Sequence, residues 1–221
     1  MSQPDRTLAR RLADESLAKG DPLGWFEALY QAAGENLALI PWADLTFNPH
    51  LAAWLAANPR DWAGRRALVV GCGLGDDAEE LARRGAKVTA FDVSPKAIEW
   101  CRRRFASSPV DYQVANALSL PDAWHGAFDL VVEIYTLQAL PPGPRAVASA
   151  ELAAALAPGG TLLVVARGRE PNEDPGSAPW PLVKSELDAF TSHGLVAETF
   201  EDFLDNEQPP VRRFRATYRR P

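Results

Sequence analysis

A glycine cluster and a single acid in this sequence have the types and spacing to do chemistry. The first is Gly71-Cys72-Gly73-Leu74-Gly75. Glycines packed this densely allow positive φ and let a ligand press against the backbone, so the segment reads as a loop that cradles a nucleoside. The second is Asp92, 21 residues beyond Gly71 and at the end of an apolar run. A carboxylate at that separation is placed to accept hydrogen bonds from a ribose diol.

Position 76 narrows the choice of nucleoside. A dinucleotide site asks for a third glycine there and an uncluttered helix start for the pyrophosphate. This sequence has Asp76 followed by Asp77. Both suit a helix N-terminus on dipole grounds, but together they repel a pyrophosphate. They do not repel S-adenosylmethionine, which has no phosphate and carries an ammonium and a sulfonium. The charge pattern therefore favours S-adenosylmethionine as cofactor. An NAD-dependent oxidoreductase is a weaker alternative, and a noncatalytic S-adenosylmethionine-binding regulatory protein is another.

The elements around these residues alternate. Ala67 to Val70 is a short buried strand that runs into the glycine loop, and Asp76 to Arg84 is a helix stopped by Gly85. Glu79 with Arg83 and Glu80 with Arg84 are expected to pair along it. Lys87 to Asp92 is a second strand, and Ser94-Pro95 cap the next helix. Strands follow at Val110 to Val114, Phe128 to Glu133 and Thr161 to Ala166, with a helix from Arg145 to Leu156. A last helix spans Leu182 to Ser192. Two closing strands, Leu195 to Phe203 and Val211 to Arg219, have no helix between them and should pair antiparallel. The pattern predicts an α/β, Rossmann-like, doubly wound and mostly parallel seven-stranded sheet with an antiparallel last strand. Ligands in such sheets sit at the carboxyl ends of the strands. Ahead of it, Trp25, Phe26, Tyr30, Trp42, Phe47 and Trp54 crowd a helical region punctuated by Pro41 and Pro49. The expected organisation is an N-terminal helical arm and lid over residues 1–60, then one cofactor-binding globular unit over residues 61–221.

Val70-Gly71-Cys72-Gly73-Leu74-Gly75 resembles the first motif of the class I S-adenosylmethionine-dependent methyltransferases, and Phe91-Asp92-Val93-Ser94 resembles the second. Val114-Ala115-Asn116-Ala117 stands where those enzymes usually carry an acid, with Asn116 in its place. Asp129 to Glu133 matches their fourth motif, and Pro158-Gly159-Gly160-Thr161-Leu162 their turn into strand five. Val69 departs from the acid often found two residues before the first glycine. The resemblance covers Arg66 to Arg167. It implies S-adenosylmethionine as cofactor, held by Gly71, Cys72, Gly73, Gly75, Asp92, Val93, Asn116, Ala117 and Glu133. A narrower similarity links Ile40-Pro41-Trp42-Ala43-Asp44 to the Pro-Trp segment of thiopurine and halide/thiol methyltransferases, where an aromatic N-terminal segment folds over the cofactor. The loop Asp174 to Trp180 and the segment Pro142 to Arg145 are similar to parts of that branch too. This adds Trp42 to the expected cofactor contacts and points to a small-molecule acceptor such as a thiol or other soft nucleophile.

Transfer of a methyl group from a sulfonium needs a well-placed nucleophile and little else, so no catalytic residue is fixed by the sequence. Tyr135, after the fourth strand, and His50, in the aromatic segment, are the candidates. Trp25, Tyr135, Arg145, Arg167 and Trp180 are the expected acceptor contacts. The chain shows no grouped metal ligands. A formal charge of −6 and a pI near 5.2 disfavour nucleic acid or an anionic membrane as partner. Two cysteines, a polar start and the lack of a long apolar run fit a cytoplasmic protein, taken here as a monomer.

Overall fold

The structure is a computed structural model that describes residues 6–221, so the first five residues of the expected arm lie outside it. Seven strands form one sheet: β1 (Arg66–Val70), β2 (Lys87–Asp92), β3 (Asp111–Val114), β4 (Phe128–Ile134), β5 (Leu156–Arg167), β6 (Val196–Leu204) and β7 (Arg212–Arg219). Their order is β3-β2-β1-β4-β5-β7-β6. β1 to β5 run parallel, and β7 enters antiparallel between β5 and β6. The chain leaves β1 toward one edge and returns at β4 toward the other, so the switch point lies between the carboxyl ends of β1 and β4.

Alternation along the strands builds two cores. Leu68, Val70, Val131, Leu162 and Val164 face α6 (Pro142–Ala155) and α7 (Lys184–Asp188). Ala67, Val69, Leu130, Val132 and Leu163 face α3 (Pro49–Ala57), α4 (Asp76–Arg83) and α5 (Pro95–Arg104). A third cluster joins α1 (Thr7–Ala18) and α2 (Gly24–Ala33) to Leu74, Trp100 and Ala178. α3 packs in the sheet core, and its Trp54 indole donates to Thr217 of β7 at 2.9 Å. The segment that lies outside the α/β layers is therefore α1, α2 and the chain to Phe47.

Local details differ from the sequence reading. Glu80, which is buried, takes both arginines: Arg83 at 2.8 Å and Arg84 at 2.7 Å. Glu79 instead accepts from the Tyr112 hydroxyl at 2.6 Å, a partner brought by β3. The last helix is shorter than its apolar spacing suggests. α7 ends at Asp188 and continues as a 3₁₀ turn, Ala189–His193, stopped by Gly194 in the left-handed region. β5 begins five residues early because Leu156 already pairs with Phe128.

Candidate cofactor and acceptor site

The glycine loop follows β1 at the switch point. Gly71 has φ +57°, and a Cβ there would lie 2.3 Å from Thr136 Oγ1, so the loop after β4 leaves no room for a side chain. Gly75 has φ +92°, and a Cβ would meet the Tyr112 hydroxyl at 2.5 Å. Gly73 faces the arm. A Cβ on it would lie 3.4 Å from the Tyr30 hydroxyl and 3.5 Å from Trp42 Cδ1. Tyr30 and Trp42 also bond to each other, indole N–H to hydroxyl, at 2.8 Å.

Asp92 closes β2 beneath this loop. One carboxylate oxygen accepts from the Gly73 amide at 3.0 Å and the other from the Ser94 amide at 2.9 Å. Burial is the main reason its pKa is raised to about 6, against the lowering effect of those amides. The Val93 amide acts on it as well, and a carboxylate with about four acceptor sites still has room for a further donor. The residues present thus fit a ribose diol: a glycine backbone without obstructing side chains beside a buried carboxylate with room for another donor. Glu27 of α2 reaches the same place, accepting from the Ser94 hydroxyl at 2.5 Å and the Lys96 amide at 3.1 Å.

Other expected cofactor residues are turned elsewhere. The Cys72 thiol faces the Cys101 thiol, which together with burial raises its pKa, so only the backbone of Cys72 remains on the loop side. Glu133 is fully buried; one oxygen accepts from the Thr136 amide at 2.7 Å and the Leu137 amide at 2.9 Å, and the other has no partner. It fixes the loop after β4. Asn116 caps its own turn, with its side-chain oxygen accepting from the Leu118 amide at 2.8 Å. Ala117 is in the core, and Val93 is half-buried after Asp92. The free acidic pair expected at the start of α4 is absent: Arg104 holds Asp76 with two bonds of 3.0 Å, and Asp77 accepts from the Asn48 amide at 2.7 Å. The repulsion of a pyrophosphate is weaker than two bare charges would give.

On the acceptor side, Tyr135 follows β4 with φ +67°, a strained value for a bulky residue. Its ring lies under the Arg213 guanidinium at 4.7 Å. His50, at the start of α3, packs edge-on against Phe203, with ring centroids 5.4 Å apart. Burial first, then Arg213, pushes its pKa below the usual histidine value, which keeps the imidazole neutral. Arg167 ends β5 near the same group. Trp180 lies half-buried against the arm cluster, and its amide donates to the Gln138 carbonyl at 2.7 Å. Two expected acceptor contacts are corrected. Trp25 is buried inside the arm, stacked on Phe26 at 3.9 Å. Arg145 is buried and spends its donors on Glu186 and the carbonyls of Leu137 and Leu140. Glu27, Thr136 and Arg213 were not singled out from sequence, and Tyr30 was read only as one of the arm's aromatics. Glu27 and Tyr30 share a face of α2 at i,i+3, which is the signal that was available for them.

Residues 67–160 match the protein family described as a methyltransferase domain. A ubiquinone biosynthesis O-methyltransferase from Xanthomonas oryzae pv. oryzae is 39% identical over 113 residues, which are 50% of this chain and 46% of that protein. The chain thus spans about half the length of the curated relatives it matches. Among solved structures, one described as conversion of a disulfide bond into a thioacetal group during echinomycin biosynthesis superposes with a TM-score of 0.72 at 22% identity, covering 88% of this chain and 90% of the other. An N-methyltransferase from Bradyrhizobium japonicum, solved with S-adenosyl-L-homocysteine, gives 0.67 at 24% identity and covers 87% and 98%. A 1,6-didemethyltoxoflavin-N1-methyltransferase from Burkholderia thailandensis gives 0.68 at 17% identity and covers 100% and 91%. The glycine loop and the acid at the end of β2 thus lie within the stretch that matches a methyltransferase domain, and the solved structures share the strand order's Rossmann-like fold.

Proposed function

We propose that this protein uses S-adenosylmethionine to methylate a small molecule. Asp92 carries the reading: a buried carboxylate beside the glycine loop, with room for a further donor besides its backbone amides. When bound, the cofactor supplies a methyl group on a sulfonium leaving group. The protein's own work is positioning and exclusion of water. Asp92 and the Gly73 backbone hold the ribose end, and Tyr30 and Trp42 shield the loop. Tyr135 borders the acceptor. Neutral His50 is available to take a proton from a hydroxyl or amine acceptor, whereas a thiolate needs no base. The Pro41-Trp42 segment supports a soft nucleophile, while the matched relatives carry O- and N-methyltransferase names. The common ground is a small-molecule acceptor.

Calorimetry with S-adenosylmethionine, S-adenosylhomocysteine and NAD tests the cofactor. Micromolar binding of the first two, about 8 kcal/mol, is expected, with none comparable for NAD. Asp92→Asn preserves the side-chain shape and should weaken binding by about 1.5–3 kcal/mol in a folded protein. NAD binding as tight as that of S-adenosylmethionine, or an Asp92→Asn variant with unchanged affinity, would sink the assignment.

A further inference from the structure

β5 and β7 bring two guanidinium groups face to face. Arg167 ends β5, Arg213 opens β7, and the antiparallel register pairs them directly. Side chains paired in this way leave the same face of the sheet with Cβ atoms about 5 Å apart, a separation at which like charges repel. Arg213 is compensated. Asp205 accepts from its Nε at 2.7 Å, and Glu207 accepts from its terminal nitrogen. Arg167 is not compensated: its backbone amide donates to Gln138, but its guanidinium has no hydrogen bond or ion pair among the described residues. Arg6 lies alongside, with its Nε buried and without a hydrogen-bond partner among the described residues. Glu207 and Asp44 act on Arg6 only through space. Burial and the neighbouring positive charges lower the pKa of both Arg6 and Arg167, a sign that the crowding is costly.

All of this lies at the carboxyl end of β5, beside Tyr135, whose ring is covered by Arg213. Arg6, Arg10, Arg167 and Arg213 against Asp44, Asp205 and Glu207 leave one positive charge, which suits a monoanion better than a dianionic phosphate. An arginine fork also matches a carboxylate in shape.

We propose that the methyl acceptor is a small organic carboxylate whose charged group is held by Arg167 and Arg6 beside Tyr135. The inference rests on the methyltransferase reading above and adds the chemical class of its substrate. The counter-charge missing from the fold is then supplied by the acceptor, and binding relieves the repulsion between Arg167 and Arg213. Neutral analogues lose that contribution.

Calorimetry on the full chain, with and without saturating S-adenosylhomocysteine, tests it with benzoate, phenylacetate and 3-phenylpropionate against their primary amides. At least one acid should bind tenfold or more tightly than its amide. Arg167→Gln should bring the pair to parity, and Arg167→Lys should keep part of the preference. S-adenosylhomocysteine affinity should be the same in both variants, which shows that they fold. Parity in all three wild-type pairs, or a preference that survives Arg167→Gln, overturns the proposal. A protein that ignores S-adenosylhomocysteine overturns the methyltransferase reading instead, and the acid–amide comparison without it still reports on the arginine site.

Discussion

Glu133 is a carboxylate with half its oxygens served. Two loop amides bond one oxygen, and the other is buried alone. Burial raises its pKa to about 7, against the lowering pull of those amides and of Arg145. A raised carboxylate pKa means that the fold keeps its proton where the unfolded chain has lost it. Stability therefore falls as pH rises from the ordinary value of 4.5 toward 7, and the loss persists above that. Glu133→Gln keeps the acceptor for the Thr136 and Leu137 amides and removes the charge. It should raise the melting temperature at pH 8, by roughly 2–4 °C for each kcal/mol regained, and change little at pH 4.5. Equal gains at both pH values in a thermal-melt series would refute the titration account. At this scale the sequence was legible where a residue acts on its own chain neighbourhood. Asp92 could be placed by its distance from Gly71, and Ser94 by its cap, where it accepts from the Ala97 amide. It was illegible where a partner comes from far along the chain: nothing local to Cys72 shows that Cys101 waits beneath it, or near Glu79 that Tyr112 outcompetes Arg83.

Arg145 shows how one side chain can tie several elements together. From the first turn of α6 it bonds the Leu137 and Leu140 carbonyls in the loop after β4 at 3.0 and 2.8 Å, and it pairs with Glu186 on α7. Glu186 also accepts from the Val183 amide at 2.9 Å, so the start of α7 is held by the same group. Removing the Arg145 side chain leaves two buried carbonyls without their donor and the partly buried Glu186 without its counter-charge, at a cost of about 1–3 kcal/mol. Arg145→Met should lose stability on that order in urea while leaving S-adenosylhomocysteine affinity within about twofold, since the glycine loop and Asp92 are untouched. A loss below about 1 kcal/mol would show that the clamp is not holding these elements. Strand–helix alternation made the five parallel strands readable, and the lack of a helix between β6 and β7 made their antiparallel pairing so. The end of α7 was less so, since apolar spacing over residues 182–192 cannot tell an α-turn from the 3₁₀ turn that packs Phe190 into the core.

The molecule as a whole is an α/β sandwich with an arm laid across the carboxyl ends of its strands. The arm touches the very backbone that the cofactor needs: Tyr30 and Trp42 rest on Gly73, and Glu27 holds the Ser94 hydroxyl next to Asp92. Most of its apolar side chains pack in the third cluster, while Leu23 alone of them reaches the core under the sheet. A segment attached in this way opens at lower free energy than the sheet. On the lid reading, ligand entry to the glycine loop takes that opening, because side chains of the arm lie on it. Once the cofactor is seated, the same aromatics pack on the ligand as well as the loop, and opening becomes rarer. Amide exchange over residues 24–47 should therefore be faster than in β1 and β4 without ligand. S-adenosylhomocysteine should slow it by a larger factor than it slows α7, which lies on the far side of the sheet. Tyr30→Phe, which removes the acceptor of the Trp42 indole, should speed exchange in the arm without ligand and leave β1 unchanged. Protection confined to Gly71–Gly75 and the end of β2, with residues 24–47 unaffected, would make the arm a fixed buttress instead of a lid.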